Sequence, residues 1–229
     1  MYKLFTILLS VFILSCNNKD ADTSNRISLA ILHDRTDPLE LIPTSEWFNT
    51  LKPWGDYPLV DVYIEVLDHL PVHTADMILK RTTQGLFSNE VETHKGTADF
   101  KRRFKMAVQD MDSLQIHQPK SILFPVLASY LNMNVDEVHM FSDLRENSFI
   151  NLYKYKTYQD LKNNQEKIIE AFQGIAIDPG ATNVYIYYKP QTYEDGLYYL
   201  TLAKIYKRVL EPKGYRIHVG RRELPIHNF

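Results

Sequence analysis

"LAILHDRTDPLELI", residues Leu29 to Ile42, passes from an apolar run into an acidic, hydroxyl-bearing cluster and then into apolar residues with a different spacing. Ile27 to Leu32 has the composition of a strand buried in the middle of a sheet, whereas Leu39, Ile42, Trp47 and Leu51 recur at helical spacing. The stretch therefore predicts a strand, a loop carrying Asp34, Arg35, Thr36 and Asp37, and a helix over 39–51. Strand followed at once by helix is the unit of open α/β sheets, and the loop falls at the carboxyl end of the strand, where such sheets bind ligands.

Working outward, Val60, Val62, Ile64 and Val66 alternate with Asp61, Tyr63 and Glu65, the period of a second strand. The turn "DHLPVH" is too short for a crossover, so the strand expected in "TADMILKRT" forms an antiparallel hairpin with it. Phe100, Phe104, Ala107, Val108 and Met111 make one stripe of a helix over 98–114. A further helix starts near Ser121; "ILFPVLASYL" is apolar almost all round, which requires burial, and Pro125 belongs in its first turn. Then follow a strand in "VDEVHMF", an amphipathic helix over 158–172, a strand in "NVYIYYK", a helix over 193–210 ended by "EPKG", and a last strand in "YRIHV". The expected fold is α/β: a three-layer, open, mostly parallel, Rossmann-like sheet of six strands with helices on both faces and an antiparallel edge strand.

The chain has 229 residues, 45% of them hydrophobic, enough for one sizeable core and cramped for two. A net charge of -2 gives no electrostatic ground for a nucleic-acid partner, and the basic stretch Lys101 to Lys105 reads as a solvated helix face. "MYKLFTILLSVFILSC" sets one lysine before an apolar run from Leu4 to Leu14 that is short for a membrane span and ends at Ser15-Cys16. That segment resembles a bacterial lipoprotein signal peptide. The resemblance implies removal of residues 1–15, acylation (palmitate among the chains) of Cys16, a flexible tether over 16–25 and one domain over 26–229. Lys19-Asp20-Ala21-Asp22 in the tether is similar to surface-export signals of Bacteroidetes-type lipoproteins, which implies the cell envelope, the outer membrane ahead of the inner. Cys16 is the only cysteine, so an intramolecular disulfide and a thiolate zinc site are both excluded.

A second acidic cluster, "FSDLRENS" from Phe141 to Ser148, follows a strand as the first does, and Ser121 opens the helix that leads into that strand. All three loops then reach one rim, and their hard oxygens suit Mg²⁺, Mn²⁺ or Ca²⁺ rather than zinc. With this order of elements the mature chain resembles the von Willebrand factor A (VWA) family. The family's first metal-site loop reads Asp-x-Ser-x-Ser, matched here by Asp34 and Thr36 but not by Pro38, which offers no oxygen. The resemblance assigns the second loop's hydroxyl to Ser121 and the third loop's aspartate to Asp143. It implies a metal-ion-dependent adhesion site for Mg²⁺ or Mn²⁺, ahead of Ca²⁺, completed by a carboxylate of a protein partner: a binding module and not an enzyme.

Other readings stand beside this one. Asp34-Arg35-Thr36 lacks the second carboxylate that a haloacid-dehalogenase-type, metal-dependent phosphohydrolase needs as general acid, which keeps that class an alternative only. A metal-free scaffold is the third. Asp37, Pro38 and Glu40 form a well-capped helix start by themselves. Ser142 or Asp143 can cap a turn, with Glu146 paired to Arg145 or solvent. Thr97 rivals Ser121 for the second-loop hydroxyl. Among eight histidines only His33 abuts the cluster; His69 and His73 are split by a turn, and the fifteen tyrosines suit strands and helix faces.

Overall fold

A computed structural model of the chain describes residues 26–35, 39, 42–51, 59–67, 77–82, 90–113 and 121–220. Cys16 and the tether, Thr36, Asp37, Pro38, His69 and His73 lie outside the described residues. The strands are β1 (Arg26–His33), β2 (Leu59–Val66), β3 (Met77–Thr82), β4 (Glu137–Phe141), β5 (Asn183–Tyr187) and β6 (Arg216–Val219). The helices are α1 (Ser45–Thr50), α2 (Glu90–Ser113), α3 (Phe124–Asn132), α4 (Tyr158–Asn163), α5 (Gln165–Gln173) and α6 (Tyr193–Leu210). The sheet order is β3-β2-β1-β4-β5-β6. β2, β1, β4, β5 and β6 run parallel, and β3 pairs antiparallel with β2. This is an α/β open sheet of the Rossmann-like class.

Alternation along β1 sorts its side chains into two cores. Ile27, Leu29 and Ile31 join Val60, Val62, Ile64 and Val66 of β2 under α1 and α2, while Ala30 and Leu32 face α3 and α6. Trp47 of α1 is the wedge on the first side, its ring centroid 4.9 Å from Phe141, 5.2 Å from His139 and 5.7 Å from Tyr187. On the second side Phe124, Phe172 and Tyr206 meet ring to ring. Two polar groups in β2 are neutralised inside this packing: Glu65 accepts from Tyr130 Oη at 2.7 Å, and Asp61 pairs with Arg26.

Three helix boundaries differ from those expected. The first helix does not run over 39–51: Leu39 and residues 42–44 are non-helical and α1 starts only at Ser45. Pro43 explains the delay, because it disfavours helix at Ile42, and Thr44 then caps the start by accepting from Trp47 N at 3.0 Å. The helix start read at Asp37, Pro38 and Glu40 lies outside the described residues. α2 begins at Glu90 rather than Ala98 and passes through Gly96, a residue that weakens a helix by about 1 kcal/mol without forbidding it. The expected helix over 158–172 is two helices broken at Asn164, whose φ of -109° leaves the helical region while its side-chain amide donates to Asp160 O at 2.8 Å.

"EPKG" ends α6 through a 3₁₀ turn, Glu211–Lys213, into Gly214 at φ 100°. A Cβ on Gly214 would stand 2.4 Å from Gly180 O, so this turn and "IDPG" fit together at the amino edge only through a glycine. Among the described residues no helix is long and apolar enough to cross a membrane.

Candidate functional site

The sheet order reverses between β1 and β4. From β1 the chain moves to β2 and β3 on one side, then returns to place β4 on the other. At such a switch point the loops leaving the two strands diverge and open a crevice at the carboxyl edge. Asp34 leaves β1 there, and Ser142 and Asp143 leave β4 there. Ser121 lies in the lead-in to α3, drawn to the same edge because Ile122 N donates to Leu67 O, just beyond β2, at 3.1 Å.

Asp34 is 1% exposed. Its backbone N–H donates to Phe141 O at 2.9 Å, which extends the β1–β4 ladder by one step and fixes the carboxylate over the crevice. Two hydroxyls from two other loops donate to it: Ser142 Oγ to Oδ2 at 3.0 Å, and Ser121 Oγ to Oδ1 at 3.3 Å. Ser121, Ser142, Asp143 and Glu146 are buried as well. Of the expected site residues the structure thus joins Asp34 and Ser121 directly. Asp143 sits on the same rim, but its Oδ1 accepts the Arg145 backbone N–H at 2.9 Å and its Oδ2 forms an ion pair with Arg145 Nε at 3.2 Å, without hydrogen-bond geometry. Thr36 lies outside the described residues, and Thr97 is inside α2.

Two contributors escaped sequence reasoning. Ser142, read there only as a turn cap, lies closer to Asp34 than Ser121 does and also accepts Leu144 N at 2.9 Å. Glu146 is paired neither with Arg145 nor with solvent: it is 0% exposed, and its Oε2 accepts Leu123 N at 2.8 Å and Phe124 N at 2.7 Å while Oε1 accepts Ser148 N at 2.8 Å. It caps α3 from a distant loop. A signal for it exists in the sequence, since "SILFP" supplies no side-chain cap at Leu123 and a buried helix start needs one from elsewhere. Burial pushes the Glu146 carboxyl above its ordinary range, against the lowering effect of its three N–H partners.

His33, the residue before Asp34, is 4% exposed, and its Nδ1 has no hydrogen-bond partner among the described residues. Burial first, then the nearby Arg35 charge, lowers its pKa from 6.5 to about 4, so it is a neutral ring at pH 7. The ring stands edge-on to Phe141, with centroids 6.5 Å apart.

What converges on Asp34 is oxygen throughout, one carboxylate and two hydroxyls, a set that fits a hard divalent cation and not a thiophilic one. Among the described residues no three His, Cys, Asp or Glu side chains gather at one point, so any ion would rely on hydroxyl and water oxygens. A concavity of about 360 Å³ lies at the opposite, amino edge, lined by Arg26, Asp136, Glu137 and Asn183 among others, and belongs to a different part of the molecule.

Scans against protein-family models, curated proteins and solved structures each found no match. The site must be read from its own geometry.

Proposed function

We propose that the chain is a lipid-anchored binding module resembling a von Willebrand A domain, which engages a protein partner through a divalent cation, Mg²⁺ or Mn²⁺, at the switch-point rim. One observation carries the reading: hydroxyls of Ser121 and Ser142, from separate loops, meet on the buried Asp34 carboxylate where the sheet order reverses. Asp34, Ser121 and Ser142 would hold the ion, with Asp143 and Thr36 as the remaining oxygens of the family pattern. Bound there, the ion supplies an electrophilic position for an acidic side chain of the partner. The chain's own residues orient the oxygens and bury the carboxylate, so that few waters compete.

Calorimetric titration of the domain with Mn²⁺ tests this. Asp34→Asn should weaken binding at least about tenfold, since it halves the charge available from the two site carboxylates. Saturable binding that is unchanged in Asp34→Asn would place the ion elsewhere, and no binding would leave the metal-free scaffold. Turnover of a generic phosphate ester, abolished by Asp34→Asn, would instead favour the phosphohydrolase.

Membrane attachment rests on Ser15-Cys16 after the short apolar run. Cys16→Ala should shift the protein from the detergent to the aqueous phase in a phase-partition experiment. Unchanged partitioning would rule out acylation at this residue.

A further inference from the structure

We infer that Arg145 sets the cation affinity of this rim by holding the Asp143 carboxylate in the cation's stead, so that ion and guanidinium compete for it. The inference rests on the proposed reading of the rim as a cation site.

Asp143 turns both oxygens toward one residue: Oδ1 accepts Arg145 N at 2.9 Å, and Oδ2 forms an ion pair with Arg145 Nε at 3.2 Å that lacks hydrogen-bond geometry, so the side-chain hold is one of charge. Leu144, between them, adopts φ 68°, a left-handed conformation that is costly for a side chain and that turns the chain back on itself. Ser142 Oγ, itself bonded to Asp34, accepts Leu144 N and so ties this turn to the cluster. The grip of Arg145 is therefore built into the same loop that delivers Ser142.

Arg145 has a second set of partners that keeps it in place whether or not it holds Asp143. Its Nη2 lies 3.2 Å from Asp195 Oδ1, and its guanidinium carbon stands 4.5 Å from the centroid of the Tyr198 ring. Asp195 is itself fixed, its Oδ2 accepting Tyr188 Oη at 2.7 Å and Gln191 N at 2.9 Å. The Arg145 side chain is 29% exposed, so on losing Asp143 it keeps one carboxylate, the faces of the Tyr198 and Tyr153 rings and some water. A guanidinium with this fallback can release a carboxylate without leaving a buried charge unpaired. Asp143 thus becomes available to an ion at a modest cost, which lowers cation affinity in the protein as it stands.

The test is a double-mutant cycle on the detergent-solubilised full chain, with free Mn²⁺ counted by electron paramagnetic resonance. Arg145→Gln should tighten Mn²⁺ binding by up to about fivefold, the scale of a partly exposed ion pair, and Arg145→Lys should tighten it less because the charge remains. In an Asp143→Asn background the gain from Arg145→Gln should vanish, since there is no longer a carboxylate to compete for. Equal gains in both backgrounds would mean that Arg145 acts only as a distant positive charge, and no gain in either would also overturn the inference. Loss of binding in Asp34→Asn with Arg145→Gln neutral would sink the competition and leave the cation site standing; absence of Mn²⁺ binding in every folded variant would remove both. Thermal unfolding of each variant reports folding, and Arg145→Lys preserves the test if Arg145→Gln is unstable.

Discussion

Glu146→Ala should destabilise the domain by about 3 to 5 kcal/mol, the largest effect expected of any single polar substitution here. The truncation strips Leu123 N, Phe124 N and Ser148 N of their shared acceptor inside a region with no exposure. Each orphaned donor costs on the order of 1 to 3 kcal/mol, reduced where the new cavity admits water. Chemical denaturation measures the loss, and a change below about 1 kcal/mol would show that α3 does not depend on its remote cap. Because α3's lead-in carries Ser121, the same variant should also loosen the Ser121–Asp34 contact. Glu146→Gln separates charge from geometry. The folded-state pKa of Glu146 is raised, so the folded protein binds the proton more tightly than the unfolded chain, and stability contributed by this group is lost as pH rises from its ordinary 4.5 through its folded value. That slope should be absent in Glu146→Gln.

His33 should produce the opposite pH dependence. Its folded pKa of about 4 lies below the ordinary 6.5, so the unfolded chain takes up the proton first and stability falls as pH drops from 6.5 toward 4. About 2.5 pKa units correspond to about 3 kcal/mol at full development, with about 2 kcal/mol reached by pH 5. Urea unfolding of the metal-free protein at pH 7 and pH 5 measures this. His33→Gln should be less stable than the parent at pH 7, having lost a well-packed ring, yet should show a markedly flatter profile between the two pH values. A parallel profile in the two proteins would mean that His33 titrates in the fold as it does in the unfolded chain. Since Glu146 and His33 slope in opposite senses over overlapping ranges, only the single variants separate them.

Much of the framework was legible because periodicity reports burial. β2 alternates so cleanly that its two faces end in different cores, and α6 occupies the residues its pattern and "EPKG" delimit. What misled the sequence reading was local chemistry that overrides period. Leu39 and Ile42 keep helical spacing with Trp47 and Leu51, yet Pro43 stands between them; the helix expected over 98–114 starts at Glu90, because Gly96 is tolerated inside a helix of 24 residues. At the rim, the strand-end positions of Asp34 and Asp143 followed from the order of elements, and the hydroxyl expected at Ser121 does bond Asp34. Which of two neighbouring residues, Ser142 or Asp143, turns toward Asp34 was not legible, because it depends on the left-handed Leu144 and on Arg145, both long-range consequences of packing against α6. Glu146 was misread for the same reason: the two N–H groups of α3 that it caps are 22 to 23 residues away in sequence.

The direction of β1 has a mechanical consequence. The chain enters it at Arg26, directly after the segment that leads back to Cys16, and leaves it at His33 beside Asp34. In the proposed arrangement, tension between a lipid anchor and a partner bound at the rim runs along this strand. β1 is flanked on both sides, by β2 over eight register pairs from Arg26 to His33 and by β4 over five from Leu29 to His33, and both neighbours are parallel to it. Ladder hydrogen bonds lie mainly across the strand axis, so such a pull slides β1 against both neighbours and loads many bonds at once instead of peeling them one by one. An edge strand such as β6, with a neighbour on one side only among the described residues, would unzip under the same tug. Suspension by a strand enclosed on both sides would let the domain transmit force from surface to partner while remaining folded.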